Sequence, residues 1–362
     1  MDPCYERHYF LGANSPQGFY SLYENFIDPV SDTALYILKG GPGCGKSSFM
    51  KKIAEAMTAA GYNTEQIHCS ADPESLDGVY IPALKTAYVD GTSPHVIEPK
   101  YPAAMEEYIN LGVFYDTQAL RQRKAEIIQI TQAYKVCYTK AYSCISSAWQ
   151  VERELYSVLN TDALKATIKK HVKGIISREF KKKAEPGKVS VRFLSAFTYM
   201  GNVCRFDTVA ALCNRVYVLD NEFGFAPEFL SLLSAAAVQN GYDIILCKSP
   251  MEPDKTEHVI IPELSLSYIS QTKKHKYTGS PYKHIRLDAL ADRTLLHANK
   301  ESIKSGRKLA NALYSEGKAA LNSAKTLHDK LEAVYNPHVD FDGVYELAEK
   351  HIKQLRNMSF FK

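Results

Sequence analysis

The apolar positions of the chain change period several times, and each change marks an element. "ALYIL" (34–38) is a short apolar run of the kind a buried strand presents. Just beyond it, in "SSFMKKIAEAMTAAG", Phe49, Met50, Ile53, Ala54 and Met57 recur at helical spacing and form one face. Strands are expected again over roughly 65–70 and 86–89. The spacing then alternates between three and four. Ile127, Ile130, Tyr134, Cys137, Ala141, Cys144, Ala148, Val151 and Leu155 make a heptad seam. A second seam runs through Ile303, Gly306, Ala310, Leu313, Gly317, Ala320, Ala324, Leu327 and Leu331. Shorter helices with start signals follow each seam, in "LNTDALKATIKKHVK" and "VDFDGVYELAEKHIK", and carry His171 and His351 at matching positions.

The recurrence extends beyond the seams. Residues 61–90 align with 241–270 without a gap and share Gly61/Gly241, Tyr62/Tyr242, Pro73/Pro253, Val79/Val259, Ile81/Ile261, Pro82/Pro262, Leu84/Leu264 and Tyr88/Tyr268. "YFLGANSPQG" (9–18) matches "RFLSAFTYMG" (192–201), and Tyr36–Met50 matches Tyr217–Leu230. Similarity of this length indicates two copies of one unit. The reading is therefore α/β, with two tandem domains, each a parallel sheet flanked by helices and ending in a long helical extension. The expected division is 1–178, a linker at 179–190, and 191–362. The two long helices are expected to pack together, small residues of one seam admitting large ones of the other, each antiparallel to the shorter helix after it. On an amphipathic-helix reading, each would pack only on its own domain.

Composition narrows the class without naming a function. Hydrophobic residues make up 45% and charged residues 23% of the chain, as in globular proteins with a full core. No apolar run reaches the length of a membrane span. The start "MDPCYERHYF" lacks the basic and apolar regions of a secretory leader. The eight cysteines are scattered with no CxxC pair, so neither a disulfide framework nor a metal knuckle is expected, and a cytoplasmic location is. A net charge of +4 gives no clear nucleic-acid signal. The basic tract at 178–188 reads as a solvated linker.

The chemistry-bearing stretch lies between the first strand and its helix. Gly40, Gly41, Pro42, Gly43, Cys44, Gly45, Lys46 and Ser47 fit G-x-x-x-x-G-K-[ST], with Ser48 next. Glycines let successive N–H groups converge on phosphate oxygens, Lys46 is placed to reach the β- and γ-phosphates, and the Ser47 hydroxyl is placed to meet Mg²⁺. The helix N-terminus behind them favours an anion. Cys44 has two readings, a small filler or a thiol acidified by its setting. Asp90 ends the strand 86–89, where a magnesium-orienting carboxylate belongs; an Asx turn before Gly91 is the competing reading. Asp72 and Asp77 are secondary candidates to orient water or metal. His68 reads as a packed strand residue, and Glu98 as a solvated residue or a base. Aligned without a gap, the second copy has Pro227 for Lys46, Glu228 for Ser47 and Ser270 for Asp90. It is expected to keep the fold and lack the site.

"HYFLGANSPQGFYSLYENFI", "ILKGGPGCGKSSFMKKI", "SLDGVYIPALKTAYVDGTSPHVIEP" and "EEYINLG" resemble a family of bacterial duplicated P-loop ATPase-like proteins without an assigned physiological role. The resemblance implies ATP binding through Gly45, Lys46 and Ser47, and supplies no substrate. Members carry a Walker-type loop in the second half as well; 221–228 departs from that pattern. Three functions remain open: Mg²⁺-dependent ATP hydrolysis with Lys46 and Asp90 as the catalytic groups, a small-molecule or nucleotide kinase, and a nucleotide-gated scaffold whose partner or second copy docks through the heptad helices.

Overall fold

The computed structural model describes residues 5–27 and 33–359; Cys4 and the residues at 1–4 read above for a leader lie outside the described residues. The first half contains β1 (Glu6–Phe10), β2 (Gly12–Ser15), β3 (Gly18–Ser21), β4 (Ala34–Lys39), α1 (Lys46–Ala59), β5 (Thr64–His68), β6 (Leu76–Ile81), β7 (Thr86–Asp90), β8 (Glu106–Asn110), α2 (Thr117–Gln122), α3 (Lys124–Ser157) and α4 (Asp162–Glu179). The second contains β9 (Val189–Arg192), β10 (Ser195–Thr198), β11 (Gly201–Cys204), α5 (Phe206–Leu212), β12 (Arg215–Asp220), α6 (Ala226–Gln239), β13 (Ile244–Lys248), β14 (Thr256–Ile261), β15 (Leu266–Gln271), β16 (Lys283–Ile285), α7 (Arg293–Ala298), α8 (Lys300–Tyr335) and α9 (Phe341–Ser359).

The protein is α/β, built on two six-stranded sheets of one topology. One has the order β1-β5-β6-β7-β4-β8 and the other β9-β13-β14-β15-β12-β16. The correspondence reaches small details. β5 and β13 carry the same register shift, at Ile67/His68 and Cys247/Lys248. Tyr36 stacks on Tyr88 as Tyr217 stacks on Tyr268. The expectation of parallel sheets needs correction: β6 and β14 run antiparallel to both neighbours, so each sheet is mixed. The reason is connection length. The links 69–75 and 82–85 are too short for the crossover of a dozen or more residues that parallel neighbours require.

The halves meet where β1 and β9 end. Phe10 and Phe193 exchange backbone hydrogen bonds of 2.9 and 3.0 Å. Asn14 Nδ2 donates to Phe197 O at 2.9 Å. Arg192 of the second half donates to buried Glu65 of the first at 2.6 Å, and to the carbonyls of Asn25 and Phe26. A single apolar cluster runs through this junction, including Phe10, Leu11, Ile67, Phe193, Val218 and Ile260.

The two long helices α3 and α8 pack along each other, as the seams predicted. They are antiparallel: Tyr134 lies beside His328, Ile145 beside Gly317 and Leu155 beside Gly306. A Cβ on Gly306 would stand 2.5 Å from Leu155 Cδ2, so the missing side chain makes room for the leucine. The shorter helices behave otherwise than expected. Neither lies along the long helix it follows; each crosses to the other half. The face of α4 (Leu164, Ile168, Val172, Ile175) packs with Phe229, Leu230 and Leu233 of α6. The face of α9 (Val344, Ala348, Ile352, Leu355) packs with Phe49, Met50 and Ile53 of α1. The long helices cause the exchange. α3 ends with Tyr156 against Phe223 of the second half, and α8 ends with Glu332 against Gly43 of the first, so each delivers the chain to the opposite sheet. Val344, Ile352 and Leu355 are fully or nearly fully buried, and each such side chain contributes about 1.5–3 kcal/mol. Among the described residues, no helix is long and apolar enough to cross a membrane.

Candidate functional site

The site lies at the end of β4, between β7 and β8 on either side. The loop 40–45 leaves β4 and enters α1. Gly43 (φ 69°) and Gly45 (φ 87°) take left-handed conformations that only glycine adopts without strain. At Gly40 the limit is space: a Cβ there would fall 2.4 Å from Cys44 Sγ. No side chain caps α1 at Gly45. Lys46 Nζ folds back onto the carbonyls of Gly40 and Gly41, each at 2.9 Å, and stands 3.6 Å from Asp90 Oδ2. Ser47 Oγ accepts from Leu76 N at 2.9 Å, which ties the start of α1 to β6. Ser48 is exposed.

The back of the loop is held by parts far away in sequence. Tyr115 OH donates to Pro42 O at 3.2 Å. Asn336, with its amide oriented to satisfy both neighbours, donates to Gly43 O at 3.0 Å and Glu332 O at 3.1 Å. Phe341 and Val344 of α9 lie against Gly45. Cys44 is almost completely buried, and burial pushes its thiol up despite the nearby Lys46 ammonium. The filler reading therefore applies; the acidified thiol does not.

Asp90 forms the Asx turn and also faces the loop. Its Oδ1 accepts from Thr92 N (2.8 Å) and Thr92 Oγ1 (2.6 Å), forming the Asx turn, while Oδ2 faces Lys46. Asp77, on the neighbouring strand, joins it: Asp77, Asp90 and His95 are all buried, with donor atoms within 4.8 Å of one another. Burial raises the Asp77 carboxyl, Asp90 adds to the shift, and His95 and Tyr23 oppose it. His95 and Tyr23 had no motif to announce them; the only sequence signal was their proximity to Asp90 and to the repeated lead-in.

The other candidates lie elsewhere. Asp72 bonds Glu74 N and Ser75 Oγ within its own turn and pairs with Lys325 at 3.4 Å. Glu98 is exposed and held by Lys39 and Tyr108. His68 is a packed residue, as read. Its ring meets Pro73 O, His8 and Arg205, and burial first, then the Arg205 guanidinium, lowers it to about 3.

The second loop has the same place in its sheet and different contents. The buried faces of α1 and α6 superpose as Phe49/Phe229, Met50/Leu230, Ile53/Leu233, Ala54/Ser234 and Met57/Ala237. This register corrects the ungapped alignment by one position. Lys46 corresponds to Ala226 and Ser47 to Pro227, because the second loop is one residue shorter. Asp90 does correspond to Ser270. The loop's amides are satisfied from within the chain. Asn221 Oδ1 accepts from Ala226 N at 2.9 Å, and Asp288 accepts from Glu222 N at 3.0 Å and Phe223 N at 3.3 Å. The residue equivalent to Asp288 in the first half is Gly112, at the same place in the turn after β8. No family model, no curated protein and no solved structure matches the chain.

Proposed function

We propose that the protein is a P-loop ATP-binding protein that hydrolyses ATP slowly, with Mg²⁺, at one site in its first half. The observation that carries this reading is the contrast between the loops. Where the second loop closes its amides on the carboxylate of Asp288, the first presents glycine-built backbone, an uncapped helix start and the Lys46 ammonium, with Gly112 in place of the aspartate. An internal carboxylate at one loop marks the corresponding position in the other as suited to an anion.

The residues fit a magnesium triphosphate. Gly43 to Ser47 would receive the phosphates, and Ser47 with Asp90 would hold the ion. Bound magnesium neutralises charge on the β- and γ-phosphates. Lys46 would exchange the carbonyls of Gly40 and Gly41 for phosphate oxygens. The location proposed is the cytoplasm, and the seven described cysteines are free, which fits a reducing compartment. The resemblance to duplicated P-loop ATPase-like proteins is in keeping with this reading.

The nucleotide-gated scaffold is favoured by one further observation. Asn336 and Phe341 touch the loop from the tail of the second half, so a ligand-driven shift at Gly43 or Gly45 has a direct mechanical route to α8 and α9. Calorimetry of the purified full chain with ATP and millimolar Mg²⁺, alongside phosphate release without an acceptor, tests the proposal. Binding with slow phosphate release is the expected result. Absence of binding, or binding undiminished in Lys46→Ala, would overturn it.

A further inference from the structure

We propose that Asp77, Asp90 and His95 form a preformed site for a first-row transition-metal ion, which shares Asp90 with the proposed magnesium position and needs no nucleotide. The argument begins with His95, whose side chain is only 6% exposed. Its Nδ1 lies 2.7 Å from Thr92 O. A carbonyl can only accept, so Nδ1 carries the proton and donates. The remaining nitrogen, Nε2, then points its lone pair at Asp77 Oδ2, 3.3 Å away. Two acceptors in a buried place need a proton or a metal ion between them.

A proton on Nε2 would give a charge-assisted hydrogen bond, and such bonds shorten to about 2.7–2.9 Å. The observed 3.3 Å is longer than that but no longer than the 3.4 Å His258–Glu257 contact of the second half, so length alone does not separate a proton from a metal ion. The separation also matches the spacing of two ligands around one ion with bonds of about 2.0–2.2 Å, which stand roughly 3.0–3.5 Å apart. Asp90 supplies the third donor, within 4.8 Å of the other two.

Each of the three is also oriented from outside. Thr92 O fixes the His95 tautomer, Tyr23 OH donates to Asp77 at 2.8 Å, and Thr92 N and Oγ1 hold Asp90. Outer hydrogen bonds of this kind set ligand direction in metal sites. The second half offers an internal contrast. Glu257 and His275 stand at the positions of Asp77 and His95, but Ser270 replaces Asp90, and Glu257 is engaged by Ser195 and His258.

One imidazole and two carboxylates suit Mn²⁺, Fe²⁺, Co²⁺ or Zn²⁺ better than Mg²⁺, which prefers oxygen ligands. Three protein ligands leave coordination positions for water or a phosphate oxygen. The Asp90 edge of the site faces Lys46 and the loop.

The test uses the metal alone, so it is separate from nucleotide binding. The full chain, stripped with a chelator, is titrated with Mn²⁺, and binding is read as loss of the free-ion paramagnetic resonance signal. One Mn²⁺ per chain should bind, and should persist against about 10-fold excess Mg²⁺. His95→Gln should weaken it at least about 10-fold, and Tyr23→Phe, which keeps the ring in the core, by roughly 10-fold. Lys46→Ala, which removes an ammonium 3.6 Å from Asp90 Oδ2, should leave binding as tight or tighter. Displacement of Mn²⁺ by equimolar Mg²⁺ would overturn the proposal, as would unchanged affinity in a folded His95→Gln; the pair would then be an imidazolium–carboxylate contact. If His95→Gln fails to fold, Tyr23→Phe decides by the same criterion.

Discussion

The loops at 40–45 and 221–225 occupy the same place in sheets of the same topology, and they differ in what meets their backbone. At the second, Asn221 and Asp288 lie against the amides and the chain is its own ligand. At the first, the amide-presenting face is left to the lysine and the glycines, and the bracing comes from behind, through Tyr115, Asn336 and α9. The difference teaches that a glycine-built loop at this place in the sheet can be closed by its own chain while the sheet around it stays the same. In the second loop one carboxylate, at the position of Gly112, accepts from two loop amides, and alanine stands at the position of Lys46.

The comparison can be broken from either side. The largest effect is expected from Lys46→Ala, which removes the loop's only cation: ATP affinity measured by calorimetry should fall about 100-fold, corresponding to roughly 3 kcal/mol of charge-assisted bonding. Ala226→Lys, its structural counterpart, should confer no ATP affinity, because Asp288 already holds that loop. Gly112→Asp should imitate the second loop. A Cβ there would meet Asn110 Oδ1 at 3.0 Å and Tyr115 Cδ2 at 4.0 Å, both side-chain atoms, so the fold should survive, while ATP affinity falls on the order of 10- to 100-fold through an internal anion worth about 1.5–3 kcal/mol. In the other direction, Asp288→Ala should cost about 2 kcal/mol of stability in a denaturant titration, since two backbone donors lose a charged acceptor. It should not restore binding.

A smaller effect separates the halves by pH. His68 has Lys248 at its equivalent position, and only the histidine is buried. Its folded-state value of about 3 lies below the ordinary 6.5, so the neutral ring contributes stability above 6.5, and that contribution is lost as pH falls from about 6.5 toward 3. The loss has a limiting slope of about 1.4 kcal/mol per pH unit for one proton. Chemical denaturation across this range should show the slope in the parent and lose it in a folded His68→Gln variant.

Much of the fold could be read from the sequence because it was written twice. The pairs from Gly61/Gly241 to Tyr88/Tyr268 fall on corresponding strands, turns and bulges, and a repeated turn signal is stronger than a single one. The mixed sheet was missed because strand length says nothing of direction; the shortness of the links at 69–75 and 82–85 held that information. The helix exchange was missed for another reason. The faces of α4 and α9 are equally apolar at equivalent positions, and such a face states that it is buried without stating against which copy. In the site, the loop and Asp90 were legible from motif and position. The one-residue shortening of the second loop was visible only in the register of Phe49 and Met50 with Phe229 and Leu230. Asp77 was read as a secondary candidate, and its partners His95 and Tyr23 were brought to it by chain folding alone.

The crossing of α4 and α9 also sets an order of events during synthesis. Domains begin to fold as they emerge, from the N-terminal side. When α4 leaves the ribosome, α6 does not yet exist, and the uncovered face of α1 is the available match for Leu164, Ile168, Val172 and Ile175. The seat of α4 on α6, and that of α9 behind the glycines of the first loop, can therefore be filled only after the second half has been made.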